Sequence, residues 1–176
     1  MAHAFLAEVV TKEDVVVDAT MGNGHDTLFL AKLAKQVYAF DIQEQAVEKT
    51  RQRLAEADLD NVQLILAGHE TLDQYIEHFK AAIFNLGYLP SADKSVITRP
   101  ATTLEALEKV CQGLEKGGRA AIMIYYGHEG GEVEKDAVLD FVSQLPQQEF
   151  TVALYKTINQ INNPPFLVMI EKLKEK

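Results

Sequence analysis

The sequence predicts an α/β fold: a mainly parallel seven-stranded sheet with helices on both faces, closed by an antiparallel C-terminal hairpin. Three observations predict it. Short apolar, often β-branched runs alternate with longer amphipathic stretches from Val15 to Leu145. No internal repeat, low-complexity tract or Gly/Ser-rich linker breaks that alternation. The last two apolar runs are joined without room for a helix, which makes them antiparallel neighbours.

Each element follows from its local pattern. Val15–Val17 ends at Asp18, Val37–Phe40 at Asp41, Val62–Leu66 at Ala67-Gly68 and Ala81–Phe84 at Asn85. Gly118–Tyr125 is the fifth run, and Phe150–Thr157 and Phe166–Ile170 are the last two. Polar or turn residues bound them all, as expected of buried strands. Helical spacing joins Leu72, Ile76 and Phe79, then Leu104, Leu107, Cys111 and Leu114, then Val133, Ala137, Phe141 and Leu145. Thr102-Thr103-Leu104-Glu105 fits a capping box just after Pro100. Cys111, on an apolar stripe, reads as a small buried hydrophobe. Glu171–Lys176 reads as a charged surface tail.

Composition narrows the class. A length of 176 residues suits one domain over the whole chain, 1–176. With 47% apolar and 24% charged residues the chain has a globular balance, not a disordered one. No apolar run approaches a membrane span, and the N-terminus lacks the basic and apolar regions of a signal peptide. One cysteine excludes an intrachain disulfide, and no Cys/His cluster has zinc spacing, so no metal is expected. A cytoplasmic domain with no membrane partner is the expectation.

The most informative stretch is Val15-Val16-Val17-Asp18-Ala19-Thr20-Met21-Gly22-Asn23-Gly24-His25-Asp26-Thr27. A strand ends, two glycines follow, and a helix opens at about Asp26-Thr27. Such a loop lets backbone approach a ligand, and the helix start favours an anion. Thr20, Gly22, Asn23 and Gly24 in the loop, with His25, Asp26 and Thr27 at the helix opening, are candidate cofactor contacts. Asp41 closes the second strand 19 residues after Gly22 and can accept hydrogen bonds from ribose hydroxyls. Ile42 and Gln43 follow it and are further candidate cofactor contacts. A dinucleotide fingerprint would carry a third glycine where Thr27 stands, which speaks against NAD. S-adenosylmethionine has no pyrophosphate and fits better. Asp18 is placed to meet its ammonium group. Gly68, His69 and Glu70 fall where an adenine edge would lie, although His69 and Glu70 also serve as the start of a helix.

Five parallel strands and a terminal hairpin resemble the Rossmann-like class I S-adenosylmethionine-dependent methyltransferases. In that arrangement the fourth strand ends beside the first, at the ligand-binding switch point. Asn85 and Tyr88 would then face the transferable methyl, and Asn85 is also a candidate cofactor contact. The Asn85 side-chain carbonyl and the Leu86 backbone carbonyl can both accept from an amine and aim its lone pair. Tyr88 can stack on a base or on a nitrogen that becomes cationic. Asn85-Leu86-Gly87-Tyr88 resembles the Asn-Pro-Pro-Tyr motif of amino-group methyltransferases, with both prolines replaced.

Gly127-His128-Glu129-Gly130-Gly131 follows the fifth strand on the same face. His128 has the intrinsic pKa of a base for an amine, and Glu129 could hold a substrate ammonium; a solvated glycine loop is the plainer alternative. Lys94 and Arg99 are candidate phosphate contacts or solvated cations. Asn162 and Asn163 could touch RNA, although turn formation alone explains them.

Four stretches together are similar to one family: Asp18–Thr27, Asn85–Pro90, Gly127–Gly131 and Ile158–Phe166. This is the compact bacterial family labelled "putative rRNA methylase", and the resemblance runs essentially end to end. Its better-defined members are tRNA methyltransferases. The resemblance therefore implies methylation of 5-aminomethyl-2-thiouridine at the tRNA wobble position to the methylaminomethyl form. Asn85, Tyr88 and His128 would be catalytic, and Leu86, Gly87, Tyr88, Lys94, Arg99, Glu129, Asn162 and Asn163 would meet the substrate. The implied partner is the tRNA anticodon region; a two-fold homodimer is the default oligomer. The net charge of −9 argues against an extensive phosphate interface, so recognition of one splayed base is the expected mode. Methylation of rRNA or of a small amine, nicotinamide-dependent redox chemistry and cofactor binding without turnover are the competing readings.

Overall fold

A computed structural model describes residues 1–87 and 99–174. The strands are β1 (Val15–Asp18), β2 (Gln36–Asp41), β3 (Val62–Leu66), β4 (Phe79–Leu86), β5 (Leu114–Ile124), β6 (Phe150–Tyr155) and β7 (Phe166–Lys172). The helices are α1 (Ala2–Ala7), α2 (His25–Leu33), α3 (Glu44–Glu56), α4 (Pro100–Gly113) and α5 (Gly131–Ser143), with a 3-10 helix at His69–Gln74. One seven-stranded sheet runs β3-β2-β1-β4-β5-β7-β6. The first five strands are mutually parallel, and β7 lies antiparallel between β5 and β6. The sheet is the expected mainly parallel one, with the expected terminal hairpin.

Side chains alternate between the two faces of a strand, so adjacent residues join different cores. Val17, Phe40, Phe84, Ile122 and Val168 pack on one face with Leu107 of α4 and Val138 of α5. Val16, Ala39, Ile83, Ala121 and Leu167 pack on the other with Leu6 of α1, Leu30 of α2 and Leu54 of α3. Burial on both faces accounts for the near-continuous apolar runs in the central strands.

Four local expectations are corrected. Leu72 lies in the 3-10 helix, but Phe79 opens β4, so no long helix joins them. The helix after Arg99 starts at Pro100 with no side-chain cap; Thr102 Oγ1 instead donates to the Arg99 carbonyl, and its last apolar residue, Leu114, begins β5. On α5 the inward row is Glu134, Val138 and Val142, while Val133 is 65% exposed. Glu134 is buried because Thr103 Oγ1 of α4 donates to its carboxylate at 2.9 Å. Lys172 is also buried, not a surface residue. Its ammonium donates to the carbonyls of Cys111 and Gln112 at 3.0 and 3.2 Å, satisfying the end of α4. Cys111 is buried as expected. The helix α1 had no counterpart in the sequence reading. Among the described residues, no helix is long and apolar enough to cross a membrane.

Candidate active site

The carboxyl ends of β1, β2, β3 and β4 surround a cavity of about 640 Å³. Order reverses between β1 and β4, and a crevice opens there because their following connections leave to opposite sides.

The loop after β1 forms one wall. Met21 N–H donates to the Phe40 carbonyl at 2.9 Å, tying the loop to β2. Gly22 N–H then donates to Asp41 Oδ2 at 3.0 Å, and Gln43 N–H donates to Oδ1 at 2.9 Å. Two backbone donors thus fix the orientation of Asp41 and leave it acceptor capacity toward the cavity. Gly24 caps α2 with φ +84°, and a Cβ there would lie 2.7 Å from Thr50 Oγ1 of α3. The Asn23 carbonyl accepts from Arg53 Nε at 2.6 Å.

Beside Asp41, Ile42 is 60% exposed and lines the cavity with Phe40 and Ala67. His69 is buried, and its Nδ1 lies 3.1 Å from the Ala19 carbonyl. Burial lowers the His69 pKa. The ring is therefore neutral near neutral pH, with its proton on Nδ1 and Nε2 left as an acceptor.

The other wall comes from β4 and the start of α2. Asn85 N–H donates to Thr20 Oγ1 at 2.6 Å, and Asn85 Nδ2 donates to Asp26 Oδ2 at 2.5 Å. A carboxylate only accepts, so the amide carbonyl of Asn85 must point away from Asp26. The Leu86 carbonyl accepts from Tyr125 N–H at 3.0 Å, and the Leu86 side chain is buried.

These contacts bring together most of the expected cofactor residues. Thr20, Gly22, Asn23, His25 and Asp26 line the cavity, as do Asp41, Ile42 and Gln43. Gly68, His69, Glu70 and Asn85 do so as well. Asp18, Gly24 and Thr27 lie behind that lining. Asp18 is fully buried, accepting from Thr27 Oγ1 at 2.6 Å and from Thr20 N–H at 3.2 Å. Burial first, then neighbouring Asp26, raises its pKa to about 7, against the hydrogen bonds from Thr27 and Thr20. Thr27, where a dinucleotide loop has glycine, thus serves as a partner for Asp18.

Among the expected substrate residues, Gly87 and Arg99 line the cavity. His128 Cε1 lies 3.3 Å from the position that a Gly87 Cβ would take, which sets the imidazole beside the cavity wall. Glu129 is exposed in the loop before α5. Asn162 and Asn163 are exposed in the β6–β7 connection; Asn162 lines a separate groove there. Tyr88 and Lys94 lie outside the described residues. Sequence reasoning missed Tyr125, which lines the cavity where β5 ends, and Thr102 at the start of α4. The Tyr125 pKa is raised by partial burial and by Asp26. Its place immediately after an apolar strand was the available signal.

A carboxylate held at a strand tip, an exposed aliphatic plate and a neutral imidazole suit an adenosine group. Arg99 is the only Lys or Arg among the described lining residues, so a pyrophosphate would find little counter-charge. The donor set therefore fits a sulfonium nucleoside better than a dinucleotide.

A family model described as "Putative rRNA methylase" matches residues 37–171. A chloroplastic tRNA (mnm(5)s(2)U34)-methyltransferase of Arabidopsis thaliana is 34% identical over 187 residues, covering 98% of this chain and 68% of that protein. A "putative methyltransferase" from Streptococcus mutans, solved in complex with SAH, is 63% identical with a TM-score of 0.93, covering 97% of this chain and 95% of that one. A "putative rRNA-methylase" structure from Clostridium thermocellum is 46% identical with a TM-score of 0.94 and the same coverage.

Proposed function

The chain belongs to the putative rRNA methylase family, and we propose that it methylates the aminomethyl nitrogen of a modified wobble uridine in tRNA, acting as one domain over residues 1–176. It is an S-adenosylmethionine-dependent methyltransferase, and the names of its relatives support RNA as its substrate class. The proposed reaction converts 5-aminomethyl-2-thiouridine to the 5-methylaminomethyl form. A relative at 34% identity across 98% of the chain bears the name of that activity.

The observation that carries the reading is the Asn85 amide, held by Asp26 at 2.5 Å so that its carbonyl is left to accept from an amine. When bound, S-adenosylmethionine supplies the electrophilic methyl group. Asp41 would hold its ribose hydroxyls, and Ile42 and His69 would meet its adenine. Thr20 and Asp26 line the end of the cavity nearest Asn85. In-line methyl transfer depends mainly on aiming the nitrogen lone pair, and Asn85 Oδ1 does so by accepting a hydrogen bond from the amine N–H, which stays on the nitrogen. The attacking amine must be neutral, and His128 beside Gly87 takes its proton. Glu129, Arg99, Lys94 and Tyr88 serve the RNA around the target nucleoside.

The test uses tritiated S-adenosylmethionine and bulk tRNA from cells lacking the enzyme, followed by nucleoside analysis. Label in a methylaminomethyl-uridine derivative is expected. Bound cofactor with no label in tRNA would overturn the reading and direct the search to rRNA and small amines.

A further inference from the structure

We infer that His3, on the N-terminal helix, is a positioning residue for methyl transfer: it acts through Asp26 to hold the Asn85 amide with its carbonyl toward the amine. The inference rests on the role proposed above for Asn85. It goes further by placing part of the site's organisation in α1, a segment outside the β-strand ends that build the cavity.

Both oxygens of Asp26 are engaged. Oδ1 lies 2.5 Å from His3 Nε2, and Oδ2 accepts from Asn85 Nδ2 at 2.5 Å. A carboxylate has no proton to give, so Nε2 of His3 is the donor. His3, Asp26 and Asn85 form a chain with one allowed direction: imidazole N–H to carboxylate to amide NH2. The direction matters for Asn85. Its amide has two orientations of nearly equal shape, and only one puts the oxygen outward. Asp26 selects that one, provided that its carboxylate is itself kept from rotating. Asn85 holds one oxygen and His3 the other.

The His3 ring is fixed independently. It stacks on Phe29, one turn along α2 from Asp26, with ring centroids 3.9 Å apart and planes 2° from parallel. The far end of α1 is anchored to β5, where Arg119 donates to the Phe5 carbonyl at 2.8 Å and to the Glu8 carboxylate at 2.6 Å. The guanidinium also sits 4.5 Å from the Phe5 ring centroid. The helix is thus held at both ends, and His3 meets Asp26 as part of a fixed frame. Asp26 has 21% of its side chain exposed, so a charge-assisted contact there is only partly weakened by water.

Three variants separate positioning from scaffolding. His3→Ala removes the donor; His3→Gln places an amide N–H at the reach of Nε2; His3→Asn is too short to do so. Kinetics with S-adenosylmethionine and aminomethyl-uridine tRNA are measured together with the thermal midpoint. The Asn85 side-chain amide signals are read by 1H–15N NMR and assigned by their loss in Asn85→Ala. His3→Ala and His3→Asn are expected to lower kcat about tenfold with cofactor affinity unchanged. Both should move the Asn85 amide signals, while His3→Gln restores kcat and signals. Unmoved Asn85 signals in His3→Ala and His3→Asn overturn the inference, whatever happens to kcat. So does an equal loss of kcat in all three variants. If the wild-type protein transfers no methyl to this tRNA while the Asn85 signals still follow His3, the proposed substrate fails and the coupling from His3 to Asn85 stands.

Discussion

Gly22 N–H donates to Asp41 Oδ2 at 3.0 Å, joining the glycine loop after β1 to the tip of β2 across 19 residues of sequence. The bond makes the carboxylate part of the loop's architecture, beside the cofactor role proposed for it. Removing it takes away the partner of a loop N–H and the proposed acceptor for ribose.

Asp41→Ala is expected to weaken binding of S-adenosylhomocysteine by about 10- to 100-fold, the scale of one or two hydrogen bonds to a charged group. Isothermal titration calorimetry measures it. Unchanged affinity would remove Asp41 from the cofactor site.

Asn85 makes a different prediction, because its proposed role is to aim the methyl-accepting amine. Asn85→Ala should lower kcat by about 100-fold or more while cofactor affinity changes by less than about threefold. Single-turnover kinetics alongside calorimetry separate the two. Parallel losses in both would make Asn85 a cofactor residue only.

Gly24 tests the loop itself. It sits at φ +84°, and an added Cβ would lie 2.7 Å from Thr50 Oγ1 and 3.1 Å from the Thr50 Cα. The backbone neighbour cannot rotate away. Gly24→Ala is therefore expected to cost about 2–4 kcal/mol of stability, from left-handed strain and overpacking together. Urea denaturation at constant pH provides the value.

Asp18 predicts a pH dependence. Burial raises its pKa from 3.8 to about 7. Between those values the unfolded chain is ionised and the native carboxyl keeps its proton. The native state thus binds more protons, and this group's contribution to stability falls as pH rises through that window. The full change is at most about 4 kcal/mol. His69 acts in the opposite sense: its pKa is lowered from 6.5, so stability is lost as pH falls below that value. Comparing Asp18→Asn with wild type isolates the first effect. Stability relative to wild type should rise from about pH 4 to about pH 8. Parallel pH profiles for the two proteins would show that Asp18 is not raised.

Much of the fold and site was legible in the sequence. Asp41 was legible because a strand ended in a carboxylate downstream of a two-glycine loop. Asn85 was legible because a polar residue closed the apolar run Ala81–Phe84. The inward row of α5 was not, since Glu134 breaks the apolar pattern and is buried against Thr103 of another helix. Lys172 escaped notice for the same reason, its partners being carbonyls 60 and 61 residues away. Tyr125 looked like the end of a strand, and nothing local marks the side on which its ring stands.

The sequence by itself determined the strand–helix alternation, the antiparallel ending, the glycine loop and the carboxylate at the end of β2. Those are short-range properties: periodicity, turn chemistry and chain length restrict them within a few residues. Tertiary structure alone decided that Asp18 is enclosed with Thr27, that Asp41 is gripped by Gly22, and that His3 reaches Asn85 through Asp26. The reason is physical. Hydrogen-bond direction and desolvation depend on which groups meet in space, and packing the ends of β1, β2 and β4 together brings in partners that no local pattern can specify.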